Sequence, residues 1–231
     1  MTSVLLALAL AAGDGATHFA FETGATPVVR VSNVSGPIRV EGVPGSHTEV
    51  DAEWLSGSEA ERKKWKVDVR VDDGKVGAKL CCGPCDAQRD TDLHCSGDAK
   101  LSFTLRVPVG SRVVANQVSG AVSVSGVAGD LEVHSVSGKV KLEGTEGSLD
   151  VRSVSGDVEV RASKAGSTRL ETVSGHTALV LPPSSGADVS FTTVSGALNG
   201  QKPGIGHLES LVRGGGVKVQ AHSVSGSIEV K

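Results

Sequence analysis

The sequence predicts an all-β fold, a parallel β-helix (β-solenoid) of coils of about 18–21 residues with a looped, less regular N-terminal part. Composition is the first reason. Thirty glycines and eight prolines lie among many valines, aromatic residues make up 3%, and tyrosine is absent. That mixture suits short strands broken by tight turns, and it lacks the long Leu, Ala, Glu and Lys runs of a helical bundle. The second reason is a repeat. Val-Ser-Gly ends at Gly36, Gly120, Gly126, Gly138, Gly156, Gly175, Gly196 and Gly226. Leaving Gly126 aside, the glycines from Gly120 onward are 18, 18, 19, 21 and 30 residues apart. The third reason is strict alternation of apolar and polar residues within each unit, the mark of strands with one face inside.

One unit explains the rest. Leu131-Glu-Val-His-Ser-Val-Ser-Gly138 alternates and then reaches a Ser-Gly corner; Lys139-Val-Lys-Leu-Glu143 alternates again; Gly144-Thr-Glu-Gly-Ser148 turns the chain back. The unit from Leu149 to Arg161 repeats it. Because like segments run in the same chain direction, they are expected to stack in parallel at about 4.8 Å per coil. The corner glycines Gly36, Gly120, Gly138, Gly156, Gly175, Gly196 and Gly226 supply backbone angles other residues reach only with strain. The expected interior is aliphatic: Leu131, Val133, Val140, Leu142, Leu149, Val151, Val158, Val160, Leu170, Leu179 and Leu181.

Outward residues test this register. Offsets of 18 and 19 place Lys139 over Asp157, Lys141 over Glu159, Glu143 over Arg161, Asp150 over Arg169 and Arg152 over Glu171. One like-charged pair, Glu132 over Asp150, stands against these five. Each opposed pair contributes only a few tenths of a kcal/mol, so the value is in fixing register.

Ahead of the regular coils, Val31 to Val40 is a first copy. His47–Trp54, Lys66–Val71, Lys75–Leu80 and Leu101–Val107 look like strands, and Glu59–Trp65 like one helical turn or a loop. Residues 14–110 are therefore expected to form irregular coils with longer excursions, continuous as one domain with the regular solenoid at 111–231; a separate small β-domain is the alternative. Residues 1–13 are expected to be a signal peptide. The run Val4–Ala12 is too short to span a bilayer, and Ala9-Leu-Ala11 offers small residues at signal-peptidase spacing. No Lys or Arg precedes it, and a first strand is the rival reading. The last unit ends at Ile228-Glu-Val-Lys231 without an evident cap, which predicts an open strand edge and end-to-end self-association, countered by Lys231.

Cys81, Cys82, Cys85 and Cys95 cluster in one loop. An even count in an exported chain favours two disulfides, with three pairings open. The rivals are a metal site that adds His94 and a redox pair at Cys82-Gly-Pro-Cys85, a third functional reading of the chain.

Charge excludes other classes. With 26 acidic and 23 basic residues well mixed and a net charge of −3, no basic stripe exists to neutralise phosphates, so nucleic acid is not an expected partner. There is no Gly-x-Ser-x-Gly elbow, His-Glu-x-x-His or Walker loop. His134 and His222 hold equivalent repeat positions, which points to a surface column. An enzyme that cleaves acidic polysaccharides would need carboxylates and a base on one face. The nearest set is Glu132, His134, Asp150, Arg152, Arg169 and Glu171, and a stacking ladder explains the same residues. No cofactor or metal is expected.

The unit Ser153-Val-Ser-Gly-Asp-Val-Glu-Val160 and the stretch Arg106-Val-Pro-Val-Gly-Ser-Arg112 resemble the bacterial DUF4097 family of adhesin-like β-strand-repeat proteins, over about Val28 to Lys231. The resemblance implies a parallel β-helix-like fold and an extracytoplasmic setting in bacteria: periplasm, cell surface or medium. It carries no catalytic residues, and the Cys81–Cys95 loop has no counterpart in the family pattern. The expected function is a non-catalytic envelope or surface scaffold, adhesin-like, with an envelope protein or polysaccharide as partner. A β-helix polysaccharide lyase or hydrolase is the alternative.

Overall fold

A computed structural model describes residues 8–12, 16–82, 85, 98–203 and 206–231. In chain order the strands are β1 (Leu8–Ala12), β2 (Ala16–Glu22), β3 (Val28–Ser35), β4 (Ile38–Val43) and β5 (His47–Ser56). One helical turn follows, α1 (Glu59–Arg62), closed by a capping box between Ser58 and Glu61. Then come β6 (Trp65–Asp72), β7 (Lys75–Cys82), β8 (Lys100–Pro108), β9 (Arg112–Ser119) and β10 (Val122–Ser125). The regular part holds β11 (Leu131–Ser137), β12 (Val140–Thr145), β13 (Leu149–Ser155), β14 (Val158–Ala162), β15 (Thr168–Thr172) and β16 (His176–Val180). The last strands are β17 (Ala187–Thr193), β18 (Ala197–Leu198), β19 (Gly206–Val212), β20 (Val217–Ser223) and β21 (Ser227–Val230).

Each coil gives one strand to a ten-stranded sheet and the next to an eleven-stranded sheet, so the fold is the expected all-β solenoid. The stack runs β7/β8, β3/β4, β9/β10, β11/β12, β13/β14, β15/β16, β20/β21, β17/β18. Like strands pair in parallel, as in Val140 beside Val158 and Leu131 beside Leu149. All eleven aliphatic residues expected inside are buried, together with Phe103 and Phe191. The inner surfaces thus join into one apolar core along the stack.

The register agrees with the outward charges. Lys141 lies beside Glu159, Glu143 beside Arg161, Asp150 beside Arg169, Arg152 beside Glu171, and Glu132 beside Asp150. The bonds are more local than the columns. Lys141 reaches Glu143 on its own strand at 3.0 Å, and Lys139 reaches Glu159 diagonally at 3.6 Å, while the Asp157 carboxylate accepts the His176 backbone N–H at 3.2 Å. Within one strand, residues two apart sit on the same face and long cations reach them easily.

Coil order departs from the expectation. The last unit is not the last rung: β20 lies between β15 and β17, and β21 between β16 and β18. The glycines report the same order. A Cβ on Gly226 would sit 2.6 Å from the Gly175 carbonyl oxygen, and a Cβ on Gly196 would strike that of Gly226. The chain therefore skips a rung at residues 187–198, turns back along β19, and fills the gap with its final segment. Ile228–Lys231 is consequently no open edge, which removes the basis for end-to-end association through it. The outer strands at this end are the antiparallel β19 and the two-residue β18.

The other end follows the same logic. The β7/β8 coil stacks outside β3/β4, which in turn lies against β9/β10 at an offset of 84 residues (Val28 beside Arg112). Irregular coils with excursions are thus present, but β1, β2, β5 and β6 are not rungs. They run antiparallel, β1–β2–β5–β8 in one sheet and β6–β7 in the other. No helix among the described residues is long and apolar enough to cross a membrane.

Candidate functional site

Alternation along β11 decides what the outer face of the ten-stranded sheet carries. Leu131, Val133 and Ser135 point inward and are buried, so Glu132, His134 and Val136 point outward. The valine of Val-Ser-Gly therefore has outward parity in the copies that end strands of this sheet, whereas Val124, in the copy ending at Gly126 on β10 of the other sheet, is buried. Val136, Val154, Val173, Val224 and Val194 are 45–53% exposed. With Val34 and Val118 they form an apolar ladder along the stack, one valine per rung.

Beside the ladder runs a polar column: Asn116, His134, Arg152, Glu171, His222 and Thr192, adjacent in register. Ladder and column line one groove of about 970 Å³, with Leu80 of β7 and Gly206 of β19 belonging to the two end regions. Its lining also includes the inward residues Asn33, Gln117, Ser135, Ser153, Thr172, Ser223 and Thr193. Some of these brace the corners: Ser223 Oγ accepts from the Gly226 N–H at 2.7 Å, and Thr193 Oγ1 from that of Gly196 at 2.6 Å. Asn33 Oδ1, Gln117 Oε1, Ser135 Oγ and Ser153 Oγ are buried and have no hydrogen-bond partner among the described residues.

The six residues anticipated as a surface site divide between two places. His134, Arg152 and Glu171 line the groove. Glu132, Asp150 and Arg169 line a smaller neighbouring hollow of about 410 Å³ with Arg112 and Lys218. Guanidinium groups hold the carboxylates. Arg152 donates twice to Asp150, at 3.1 Å each, and lies 3.5 Å from Glu171; Arg169 lies 3.7 Å from Glu171 and donates to Gln220 at 3.1 Å. The bonds to Asp150 push the Arg152 pKa above its already high ordinary value, so the cation is fixed. His134 Nε2 lies 3.5 Å from Glu132 Oε1. The arginines and carboxylates form ion pairs across β13 and β15, and Arg112 of β9 lies 3.7 Å from Glu132 of β11.

Among the cysteines, Cys81 and Cys85 form a disulfide and Cys82 is disulfide-bonded as well. Cys95 and His94 lie outside the described residues. No described cysteine is free, and no described cluster of His, Cys, Asp or Glu could hold a metal ion.

The family model described as Toastrack DUF4097 matches residues 8–231. The chain belongs to the DUF4097 (Toastrack) family. Solved structures with a similar course include a "putative cell adhesion protein" from Clostridium sporogenes, 14% identical, with 94% of this Toastrack chain and 98% of that one covered at a TM-score of 0.53. A "putative adhesin" from Bacteroides fragilis is 13% identical, with 94% and 97% covered, and its TM-score of 0.32 is too low to carry an argument. At such identities the first likeness shows the Toastrack fold alone. No curated protein matches the chain.

The ladder is the feature a sequence reading passes over. Val136 was legible as outward by counting parity from Leu131, but an apolar residue beside a corner reads by habit as core.

Proposed function

We propose that this chain is a non-catalytic, adhesin-like protein of the bacterial envelope or surface, and that the valine groove is its contact surface. The observation that carries this reading is the ladder itself. A continuous row of half-exposed valines along one face is apolar surface left in water, and such patches mark sites of contact. Family membership, the adhesion-related description of the Clostridium sporogenes relative and the Cys81–Cys85 disulfide support an extracytoplasmic setting. Residues 1–13 are proposed as the signal peptide. Its removal would delete β1 and leave β2 as the edge strand.

A photo-crosslinking residue at position 154, with Lys164 as an exposed control position, tests the reading in the native cell. Adducts at 154 and not at 164, recovered outside the cytoplasm, are expected. Cytoplasmic protein, or no adduct at 154, would overturn it. The rival enzyme reading draws on His134, Arg152 and Glu171 lining the same groove. Incubation with uronic-acid polymers is expected to release no unsaturated sugar, since the acidic members are already engaged by arginines.

A further inference from the structure

We propose that the groove face docks onto the same face of a second copy, the two stacks running in opposite directions. This deepens the contact-surface reading and rests on it. Three observations point to a second copy. The first is pitch. The ladder places valines about 4.8 Å apart on successive rungs, and another stack of the same rungs matches that spacing over the six rungs from β9 to β17.

The second observation is the charge pattern. Asp150 and Arg152 on β13 lie beside Arg169 and Glu171 on β15, so the signs read minus, plus on one rung and plus, minus on the next. A two-fold axis along the strand direction, passing between these rungs, reverses the stack. It sets Arg152 against the second copy's Glu171 and Asp150 against its Arg169, each twice. The same axis lays Val154 on Val173, Val136 on Val224 and Val118 on Val194, while His134 meets His222 and Asn116 meets Thr192. The face is self-complementary under this operation, as an isologous interface requires.

The third observation is size. The six paired rungs at about 4.8 Å give roughly 29 Å, and six residues of strand span about 20 Å. The face is thus roughly 600 Å² per copy, at the lower end of the roughly 600–1,000 Å² per partner of a stable interface.

Light scattering with size-exclusion chromatography of the full chain tests this across a range of concentrations. The wild type is expected to reach the mass of a dimer. Arg152→Glu and Glu171→Arg are each expected to be monomeric, because each brings like charges together across the axis. An equimolar mixture of the two is expected to recover the dimer. In the mixed pair the introduced carboxylate faces the introduced guanidinium, and the native Arg152 of one copy faces the native Glu171 of the other. The isosteric double variant Val154→Thr/Val173→Thr, with unchanged melting temperature, is expected to raise the dissociation constant at least tenfold. A wild type monomeric at every concentration, a mixture that fails to pair, or a threonine variant that dimerises as well as the wild type would overturn the proposal. Crosslinks from position 154 to foreign molecules with a monomeric chain would sink the second copy and leave the contact-surface reading standing; absence of any crosslink would sink both.

Discussion

Gly156 has φ +124°, and a Cβ there would strike the carbonyl oxygen of Gly138 one rung away. Both effects act against any other residue: the conformation is strained for L side chains, and the clash is with backbone that cannot swing aside. Gly156→Ala is expected to cost at least about 2 kcal/mol and to lower the melting temperature by about 4–8 °C or more. Gly77→Ala, on β7 with open space and no positive φ, is expected to change it little or raise it slightly. Equal effects at the two sites would refute the close-packed corner. The corner role of these glycines was legible from their recurrence. That Gly196 and Gly226 need the absent Cβ for close approach, without a positive φ, was not, because proximity between rungs is invisible within one unit.

At the scale of the coil, buried apolar area outweighs the outward ion pairs. Leu142 is fully buried on β12 between β10 and β14, and Leu142→Ala is expected to cost about 2–5 kcal/mol by chemical denaturation. A cost below that of a typical surface change would mean the strand does not face the core. The ion pairs act through pH. A hydrogen bond from Lys141, with help from Arg161, holds the Glu143 carboxyl below its ordinary pKa. A lowered folded value stabilises above the unfolded pKa, and that contribution is lost as pH falls through the folded one. The melting-temperature advantage of wild type over Glu143→Gln should therefore be present at neutral pH and vanish below the ordinary carboxylate range. An advantage that persists or grows in acid would contradict the pairing. Four strands of the N-terminal half, β5 to β8, were legible to within two residues, since period-two alternation survives even where the repeat does not, while β2 was not read. Their antiparallel pairing was not legible, because alternation fixes faces and says nothing about neighbours.

Across the whole molecule, order along the stack was the part the residues concealed. Units that share one pattern present nearly the same edge to any neighbour, so spacings of 21 and 30 residues leave the order of the last two coils open. The structure makes the final segment an internal rung, and this predicts an outcome for its removal. In a chain ending at Gly216, β17 keeps only the antiparallel β19, and β18 loses β21. Amide exchange should then accelerate at least tenfold across 187–193 and stay unchanged across 131–137. Unchanged protection at 187–193 would mean that coil re-docks onto β15/β16 without the insert.

Seating the last coil between two others also governs how the molecule bears force. A pull on Lys231 cannot peel a loose outer layer, because β20 and β21 are zipped to neighbours along both edges. The first full coil, β3/β4, is clasped in the same manner at the opposite end. A pull on the C-terminal segment therefore loads an inner coil, with two rows of backbone hydrogen bonds resisting together, whereas a pull on the N-terminal side first meets the antiparallel edge strands β1 and β2.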